Sequence, residues 1–599
     1  MIRLSKKQLK EKRNFVMKYM GEGNNATLSE VDPNSNVSHK SVATLDGELN
    51  KDVTVQVNEY IHAEKIKELF GRKYQKRFIN DLKNHVIYSH DCSSIKPYCS
   101  AISLVPFIYN GASSLAGDSL APKHLASFCG SYVNLMYSLA GGFSGALADV
   151  SLLTYFHYFA KNDYGDNYLK THTKEIESFF QQIVYSLNSP AGARNHQSIF
   201  YNTSIFDRDY FEAMFGEAQY PDGSSIIYEE VNELQKFFMN WFGEERHKAI
   251  LTFPVITASY LTKDGKAKDT EFVDFLAGQM AKGHSFFHYH SDNASALSSC
   301  CRLKSEVEMN QFAYSLGGTG MMTGSMKVIT LNINRITQKK IDLVEKVKDV
   351  HKYLIAYRVL MQEMEEAHLL PAYDEGYIAL DKQYVTVGIN GVVEAAEYLG
   401  YEITPNEDYL NWVKHLFGTI STQNKLGAKE YTEMLGRKVL INTEMVPAEN
   451  LGVKFAKWDK RSGLKVPRDC YNSYLYRVED DSIDFVDKFK MHGEEVLKYL
   501  DGGSAVHQNF NEIPTKGTWL KIIQKAIDTG SSYWTYNVKS TCCNSCGYID
   551  MNTRQTCSKC GSTDVDYLTR VIGYLKKIKS FSAARQKEAG LRFYHKSLK

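Results

Sequence analysis

An α/β fold built around one large core is what the sequence predicts, and three observations carry it. Helix-like segments such as Ile336 to Glu366 alternate with short β-prone runs over about 440 residues, from His90 to about Thr529. Those runs, among them Thr252 to Ser259, Lys327 to Ile333, Tyr384 to Ile389 and Arg437 to Asn442, are bounded by Gly, Asn or Pro, the punctuation of strands that alternate with helices. Neither an internal repeat nor a low-complexity linker interrupts the pattern. At 599 residues the chain exceeds one ordinary core, since single cores usually stop growing near ~250–300 residues. With 43% hydrophobic and 23% charged residues it has the composition of a globular protein.

Residues 1–89 are polar and lysine-rich, turn-prone from Gly21 to Asn36 and then amphipathic from Ile61 to Ile87, which predicts a helical N-terminal region. Residues 90–530 hold the alternating core. Residues 531–599 begin where a cysteine cluster follows Gly530 and end in a basic tail from Lys576 to Lys599. Lys+Arg 71 against Asp+Glu 69 gives a net charge of +2, so no global basic surface exists to hold a nucleic acid polymer by counterion release. Any nucleotide bound is expected to be small or locally held. Met1 to Arg13 is basic without a following apolar stretch, and no run of ~18 apolar residues occurs. Neither a signal peptide nor a membrane span is expected, and the cytoplasm is the expected compartment.

The cysteines number 11, and five of them fall between Cys542 and Cys560. In a large intracellular chain this pattern points to metal binding or thiol chemistry rather than disulfides. Cys543 and Cys546 form one C-x2-C pair, and Cys557 and Cys560 form another after ten intervening residues. Gly547 and Gly561 directly follow the pairs and let the backbone turn so that amides point at the sulfurs. Four thiolates in two such knuckles suit tetrahedral Zn2+ in a closed, structural site; an iron–sulfur cluster is the rival, and Cys542 is a spare. Gly-His-Ser-Phe-Phe-His-Tyr-His places His284, His288 and His290 close together, with packing or substrate-side polar contacts favoured over a second metal.

Downstream of the ribbon lies Thr569-Arg570-Val571-Ile572-Gly573-Tyr574-Leu575. Glycine has no side chain, so a radical at its Cα is accessible and is stabilised between an amide nitrogen and a carbonyl. The stretch resembles the C-terminal signature of glycyl radical enzymes, in which an arginine stands three positions before the radical glycine and a tyrosine follows it. Together with the zinc ribbon it is similar to the anaerobic (class III) ribonucleoside-triphosphate reductases. Other segments resemble that family in chain order. Ser299-Cys300-Cys301-Arg302-Leu303 resembles its finger loop, around 300–301. His90-Asp91 followed by Lys96-Pro97-Tyr98-Cys99 resembles its first active-site strand. Gly141-Gly142-Phe143, Thr330 to Ile336, Pro447 to Leu451 and Asp501-Gly502-Gly503-Ser504 match further segments.

The resemblance implies a ten-stranded α/β barrel of the glycyl radical enzyme type, with a helical N-terminal region and a C-terminal zinc ribbon. It implies reduction of ribonucleoside triphosphates to deoxyribonucleoside triphosphates, with Gly573 as radical store, Cys301 (alternatively Cys300) as the thiyl that takes the 3′ hydrogen, and Cys99 as reductive partner. His90, Asp91, Gly502, Gly503 and Ser504 are the candidate substrate contacts, the last three through backbone amides at a glycine turn. It further implies dNTP/ATP effectors, a homodimer, and a separate activase that uses S-adenosylmethionine and an iron–sulfur cluster. Formate-using members carry an asparagine where this chain has Ser325, and Met321 and Met322 lie nearby, so a thioredoxin or glutaredoxin relay is favoured over formate. No V-x-K-R-D-G-like opening occurs, so the N-terminal ATP-cone of some members is expected to be missing. Another glycyl radical lyase is the alternative within this chemistry. A non-enzymatic zinc-ribbon protein, with the basic tail as its contact, is the alternative outside it.

Overall fold

The computed structural model describes residues 4–21, 41–117, 119–192, 197–294, 296–298, 302–304, 322–446, 450–570, 573 and 575–596. In chain order the strands are β1 (Ile87–Ser89), β2 (Cys99–Ala101), β3 (Leu147–Ala148), β4 (Tyr201–Phe206), β5 (Val255–Lys263), β6 (Lys266–Ala267), β7 (Phe287–Ser291), β8 (Ala296–Ser298), β9 (Arg302–Lys304), β10 (Gly324–Asn332), β11 (Gln383–Asn390), β12 (Leu440–Met445), β13 (Val506–Asn509) and β14 (Tyr533–Asn537). A C-terminal group follows: β15 (Ser540–Cys543), β16 (Ile549–Asp550), β17 (Val565–Arg570) and β18 (Leu575–Lys577).

One path of hydrogen-bonded neighbours runs β12-β11-β10-β2-β3-β4-β5-β7-β14-β13, with β1 added on β10 and β6 on β5. β2, β3, β4, β5 and β7 are parallel to one another. β10, β11 and β12 form a second parallel set, and β13 and β14 a third. The sets meet at the antiparallel seams β10/β2 and β14/β7. The ends of the path approach each other where Glu444 of β12 and Gly503 form a parallel bridge. There the Gly502 N–H donates to the Thr443 carbonyl at 2.8 Å and the Met445 N–H to the Gly503 carbonyl at 3.2 Å. A Cβ on Gly502 would stand 2.9 Å from the Glu444 Cβ and from the Thr443 carbonyl oxygen, and Gly503 has φ +91°. Only a glycine pair lets the chain pass this close.

Helices cover one face of the sheet. The N-terminal helices are Lys6–Gly21, Val42–Leu49, Lys51–Phe70 and Arg72–Lys83, as the amphipathic pattern predicts, although its last residue, Ile87, belongs to β1. Helix Lys51–Phe70 packs on helix Leu343–Glu366, where His62 Nε2 lies 2.7 Å from the Tyr353 carbonyl and Lys65 pairs with Glu363 at 2.8 Å. The helix predicted over Ile336 to Glu366 is two helices, Ile333–Gln338 and Leu343–Glu366. Lys340 turns the chain with φ +53°, and Asp342 restarts the helix by accepting the Glu345 N–H at 3.0 Å. The run Thr252 to Ser259 lies partly in β5, which begins only after Pro254, a residue with no N–H to give a ladder. Among the described residues no helix is long and apolar enough to cross a membrane.

Burial keeps many histidines neutral. His62, His284, His288 and His492 are pushed down to about 3 and His351 and His595 to about 4, in each case chiefly by loss of hydration of the imidazolium. A folded-state value below the unfolded one means that stability is full above about pH 6.5 and is lost as pH falls, by up to about 1.4 kcal/mol per pH unit for each group. Asp149 and Asp207, raised by burial to about 6 and about 7, work the other way, as do Glu59, Asp81 and Glu394, but His85, His157 and His507 are lowered by burial too, and the histidines outnumber the raised carboxyls. The calorimetric melting midpoint is therefore expected to drop between about pH 7 and pH 5; a flat profile would contradict this.

Candidate active site

Register places one set of side chains on a single sheet face, because residues paired across strands point the same way and alternate residues along a strand do too. Ala101, Ala148 and Asn202 are neighbours across β2, β3 and β4, so Cys99, two residues before Ala101, shares the face of Asn202. Cys99 is opposite Ser325 of β10. Ser325 Oγ lies 2.7 Å from Thr386 Oγ1, and Thr386 is in register with Asn442. In the other direction Ser204 pairs with Thr257 and Thr257 with Phe287. Tyr289 then pairs with Tyr533 and His507 with Thr535. The opposite face meets the helices, as in Thr443 with Asn424 (2.7 Å between side chains) and Trp534 with Phe489 (ring centroids 5.4 Å apart).

The face bearing Cys99 is lined with buried polar atoms that have no hydrogen-bond partner among the described residues. They are both amide atoms of Asn202 and of Asn442, the hydroxyls of Ser204 and Ser259, and both ring nitrogens of His507. Buried polar groups are ordinarily paired; the helix-facing side has unpartnered atoms as well, at Thr203, Tyr260, His288 and Trp534, but only on this face do they accompany the Cys99 thiol, a combination suited to a polar ligand. These residues were not singled out in the sequence. The signal available there was Asn-Thr-Ser inside the run Tyr201–Phe206, polar residues on both faces of a fully buried strand.

Cys99 is 2% exposed, and its Sγ accepts the Ala146 N–H at 3.2 Å. Gly145 makes room for it, since a Cβ there would fall 2.6 Å from Cys99 Sγ and 3.0 Å from the Tyr98 carbonyl oxygen. Gly145→Ala is therefore expected to displace the thiol and to cost about 1–3 kcal/mol of stability by overpacking, read from urea unfolding. Unchanged stability would mean that the thiol does not need this space.

The remaining candidates are distributed as follows. His90 is buried, with Nε2 2.8 Å from Thr330 Oγ1. Asp91 follows with φ +46°, and the buried Lys327 ammonium donates to the His90 carbonyl. Met322 is half-buried against the core. Ser504 Oγ is 3.0 Å from His492 Nδ1. The amides of Gly502 and Gly503 are engaged with the carbonyls of Thr443 and Leu500 at 2.8 and 3.0 Å. Cys300, Cys301 and Met321 lie outside the described residues, as do Pro447, Ala448 and Glu449. His288 and His290 alternate with Phe287 and Tyr289 and so lie on the helix-facing side, His288 stacked on Trp534 at 4.3 Å. His284 rests on Gly243, with Nδ1 2.6 Å from Gln279 Oε1. All three are packed in the core, although His284 Nε2 and both ring nitrogens of His288 have no hydrogen-bond partner among the described residues.

The four predicted zinc ligands come together. The sulfurs of Cys543, Cys546, Cys557 and Cys560 all lie within 4.8 Å of one another, the one such group of potential ligands among the described residues. Cys543 and Cys560 are 3.6 Å apart and Cys546 and Cys557 3.7 Å. A tetrahedron with metal–sulfur bonds of ~2.3 Å has edges of about 3.8 Å, so the set fits Zn2+. Gly547 and Gly561 have φ +74° and +75°, and the turns they make aim the Cys546 N–H at Cys543 Sγ and the Lys559 N–H at Cys557 Sγ, each at 3.4 Å. Such donors favour the thiolate; the Cys546 amide leads in bringing Cys543 down to about 6. Cys542 packs with Ile549 and Leu568 as a small apolar side chain.

Gly573 sits in the loop of a hairpin built on this ribbon. β15 pairs with β16 and β17, and β17 with β18, with Arg570 opposite Leu575. The ribbon docks on the core through the Ile549 N–H to the His247 carbonyl at 3.0 Å and His247 Nδ1 to the Ile549 carbonyl at 2.8 Å. The hairpin reaches the face of Cys99: a Cβ on Gly573 would meet Phe200, two residues before Asn202, at 3.8 Å, and the Arg570 guanidinium lies 4.9 Å from the Phe287 ring. The basic tail is largely spent on internal contacts. Lys577 pairs with Asp566 at 3.0 Å and Lys587 with Asp469 at 2.5 Å, while buried Arg585 and Arg592 both pair with Glu588.

A family model described as anaerobic ribonucleoside-triphosphate reductase matches residues 48–595. Among solved structures, an anaerobic ribonucleotide reductase is 28% identical, with a TM-score of 0.85 and coverage of 99% of this chain and 93% of that one. The anaerobic ribonucleotide reductase from Thermotoga maritima in complex with dATP and CTP is 27% identical, with a TM-score of 0.82 and coverage of 99% and 100%. The same enzyme with dATP in the specificity site is 28% identical, with a TM-score of 0.81 and coverage of 97% and 100%. No curated protein sequence matches the chain.

Proposed function

The chain belongs to the anaerobic ribonucleoside-triphosphate reductase family, and from that premise we propose that Gly573 stores the radical, Cys301 (or its neighbour Cys300) carries it to substrate, and Cys99 completes the reduction. Ribonucleotide reduction by a glycyl radical enzyme is the activity. The observation that carries the residue assignment is the convergence of the Gly573 hairpin and Cys99 on one polar sheet face. Nothing steric or conformational asks for glycine at 573, where φ is not left-handed and a Cβ would make only an ordinary contact. The ten-strand path is read as a closed barrel, supported by the Glu444–Gly503 bridge, which would shield radicals from solvent.

In this reading a hydrogen atom passes from the finger-loop thiol to Gly573, leaving a thiyl. The thiyl takes hydrogen from C3′; the resulting 3′ radical lets the 2′-hydroxyl leave, with one proton, as water. C2′ gains a hydrogen with Cys99 as reductive partner, and the 3′ hydrogen returns from the finger-loop cysteine. The net change is two electrons and two protons. They come either from formate, which leaves as carbon dioxide, or from a dithiol, which leaves as a disulfide. Asn202, Ser204, Ser259, Asn442 and His507 supply hydrogen-bonding capacity for the sugar and its neighbours, with His90, Asp91 and the 502–504 turn bordering the same region. Zinc at Cys543, Cys546, Cys557 and Cys560 holds the hairpin and has no open position for catalysis. Ribonucleoside triphosphates are the substrates, deoxynucleotides and ATP the effectors, a radical S-adenosylmethionine enzyme with an iron–sulfur cluster the activase, and a homodimer the assembly.

Cys99→Ser is expected to keep the radical formed on activation yet lower deoxynucleotide formation at least ~10^3-fold, about 4 kcal/mol of barrier. Retained turnover would remove Cys99 from the mechanism. Ser325, opposite Cys99, and nearby Met322 favour the disulfide relay. Activated protein given formate as sole reductant is therefore expected to fail at multiple turnover, and sustained turnover would assign it to the formate branch.

A further inference from the structure

The Arg570 guanidinium is held in a way that sequence alone did not show. Its Nε and Nη2 donate to Ser285 Oγ at 3.1 and 3.0 Å, and Nη2 donates also to the Ser285 carbonyl at 2.9 Å. The remaining nitrogen, Nη1, donates to the Gly573 carbonyl at 2.8 Å. Ser285 is itself fixed, since its hydroxyl donates to the Tyr536 carbonyl of β14 at 2.8 Å. With that hydrogen committed, its lone pairs face Arg570. From the other side, Arg592 Nη1 donates to the Arg570 carbonyl at 2.7 Å while its Nε is anchored on Glu588 at 2.7 Å. Arg570 is 2% exposed, and all of its hydrogen-bond acceptors among the described residues are neutral oxygens. Burial, in the first place, lowers it to about 10, so it stays cationic at neutral pH.

From this geometry we infer that Ser285 is a positioning residue for the radical: it locks the Arg570 fork so that a charged donor points at the carbonyl oxygen of Gly573. This rests on Gly573 being the radical site. A radical at the glycine Cα shares its spin with that oxygen, so a cationic donor there stabilises the delocalised form, and a charge-assisted bond does so more than a neutral one. A carboxylate on the fork would neutralise the guanidinium and weaken this effect. Ser285 satisfies the fork without doing so. The segment leading into β7, which supplies Ser285, and the hairpin carrying Gly573 are far apart in sequence, so the arrangement also registers whether the ribbon is seated.

The test activates wild type, Ser285→Ala and Ser285→Thr anaerobically with the activase and S-adenosylmethionine, after checking equal zinc content and melting midpoint. Electron paramagnetic resonance then gives spins per chain, lifetime and g-anisotropy. Ser285→Ala is expected to carry about tenfold fewer spins at equilibrium, the scale of one hydrogen bond to a charged group, with larger g-anisotropy because the Arg570 donor is no longer held on the Gly573 oxygen. Ser285→Thr is expected to restore both. If Ser285→Ala lowers the midpoint, Ser285→Cys, close in size with a weaker acceptor, carries the comparison, and an intermediate yield is expected. Wild-type yield and g values in the Ala or Cys variant would overturn the inference with the radical assignment intact. No doublet in wild type would overturn both.

Discussion

Gly573→Ala is expected to abolish deoxynucleotide formation, with a loss of at least ~10^6-fold, while zinc content, melting midpoint and circular dichroism stay at wild-type values. The separation of the two effects follows from the local geometry. The new Cβ meets Phe200 at 3.8 Å, an ordinary contact, and the Arg570 bond goes to a backbone carbonyl that alanine keeps. What alanine changes is the chemistry at Cα, where a methyl group crowds hydrogen transfer with the finger-loop thiol. Product formation measured anaerobically after activation reads this directly. An active alanine variant would move the radical to another residue.

Removing the metal is expected to be nearly as damaging by a different route. Purified chain should contain one zinc, and Cys546→Ser or Cys557→Ser should lose it. Apparent binding energies of structural zinc in small modules are about 10–16 kcal/mol, and among the described residues the ribbon's own apolar cluster is Cys542, Ile549 and Leu568. Without metal the knuckles at Gly547 and Gly561 have nothing to close on, and the β17–β18 hairpin loses the scaffold that directs Gly573. The core, with its own extensive apolar cluster, should stay folded. Limited proteolysis is expected to cut between about 540 and 565 in the variant and not in wild type, and activation should yield no radical. Normal activation of a zinc-free variant would show that the ribbon does not position the hairpin.

Features that are local in the chain were legible in the sequence. The two C-x2-C knuckles with their glycines state their chemistry within a few residues, whereas Gly573 stands out only through the resemblance of Arg570 to Leu575 to a family signature. Alternation of helix and strand was legible too, although the break at Lys340 and Asp342 was not, because a capping residue inside a long amphipathic run looks like any other polar position. The polar face was hidden for a different reason. Asn202, Ser204, Ser259, Asn442 and His507 come from strands far apart in sequence, and only register shows that they share a face with Cys99. Ser285 and Arg570 are likewise far apart in sequence, and only their contact in the fold shows that they belong together; Arg585 and Arg592 are local to Glu588, and burial is what turns that part of the basic tail into an internal ion-pair cluster.

The central assignment is tested most directly by one spectrum: electron paramagnetic resonance of the chain activated anaerobically with its activase and S-adenosylmethionine, grown with ordinary glycine and with glycine deuterated at Cα. The expected result is a doublet from the α-hydrogen of Gly573 that collapses to a near-singlet on deuteration and is missing from Gly573→Ala. A chain that shows no doublet under conditions that activate a control glycyl radical enzyme, or a doublet that survives Gly573→Ala, would contradict it.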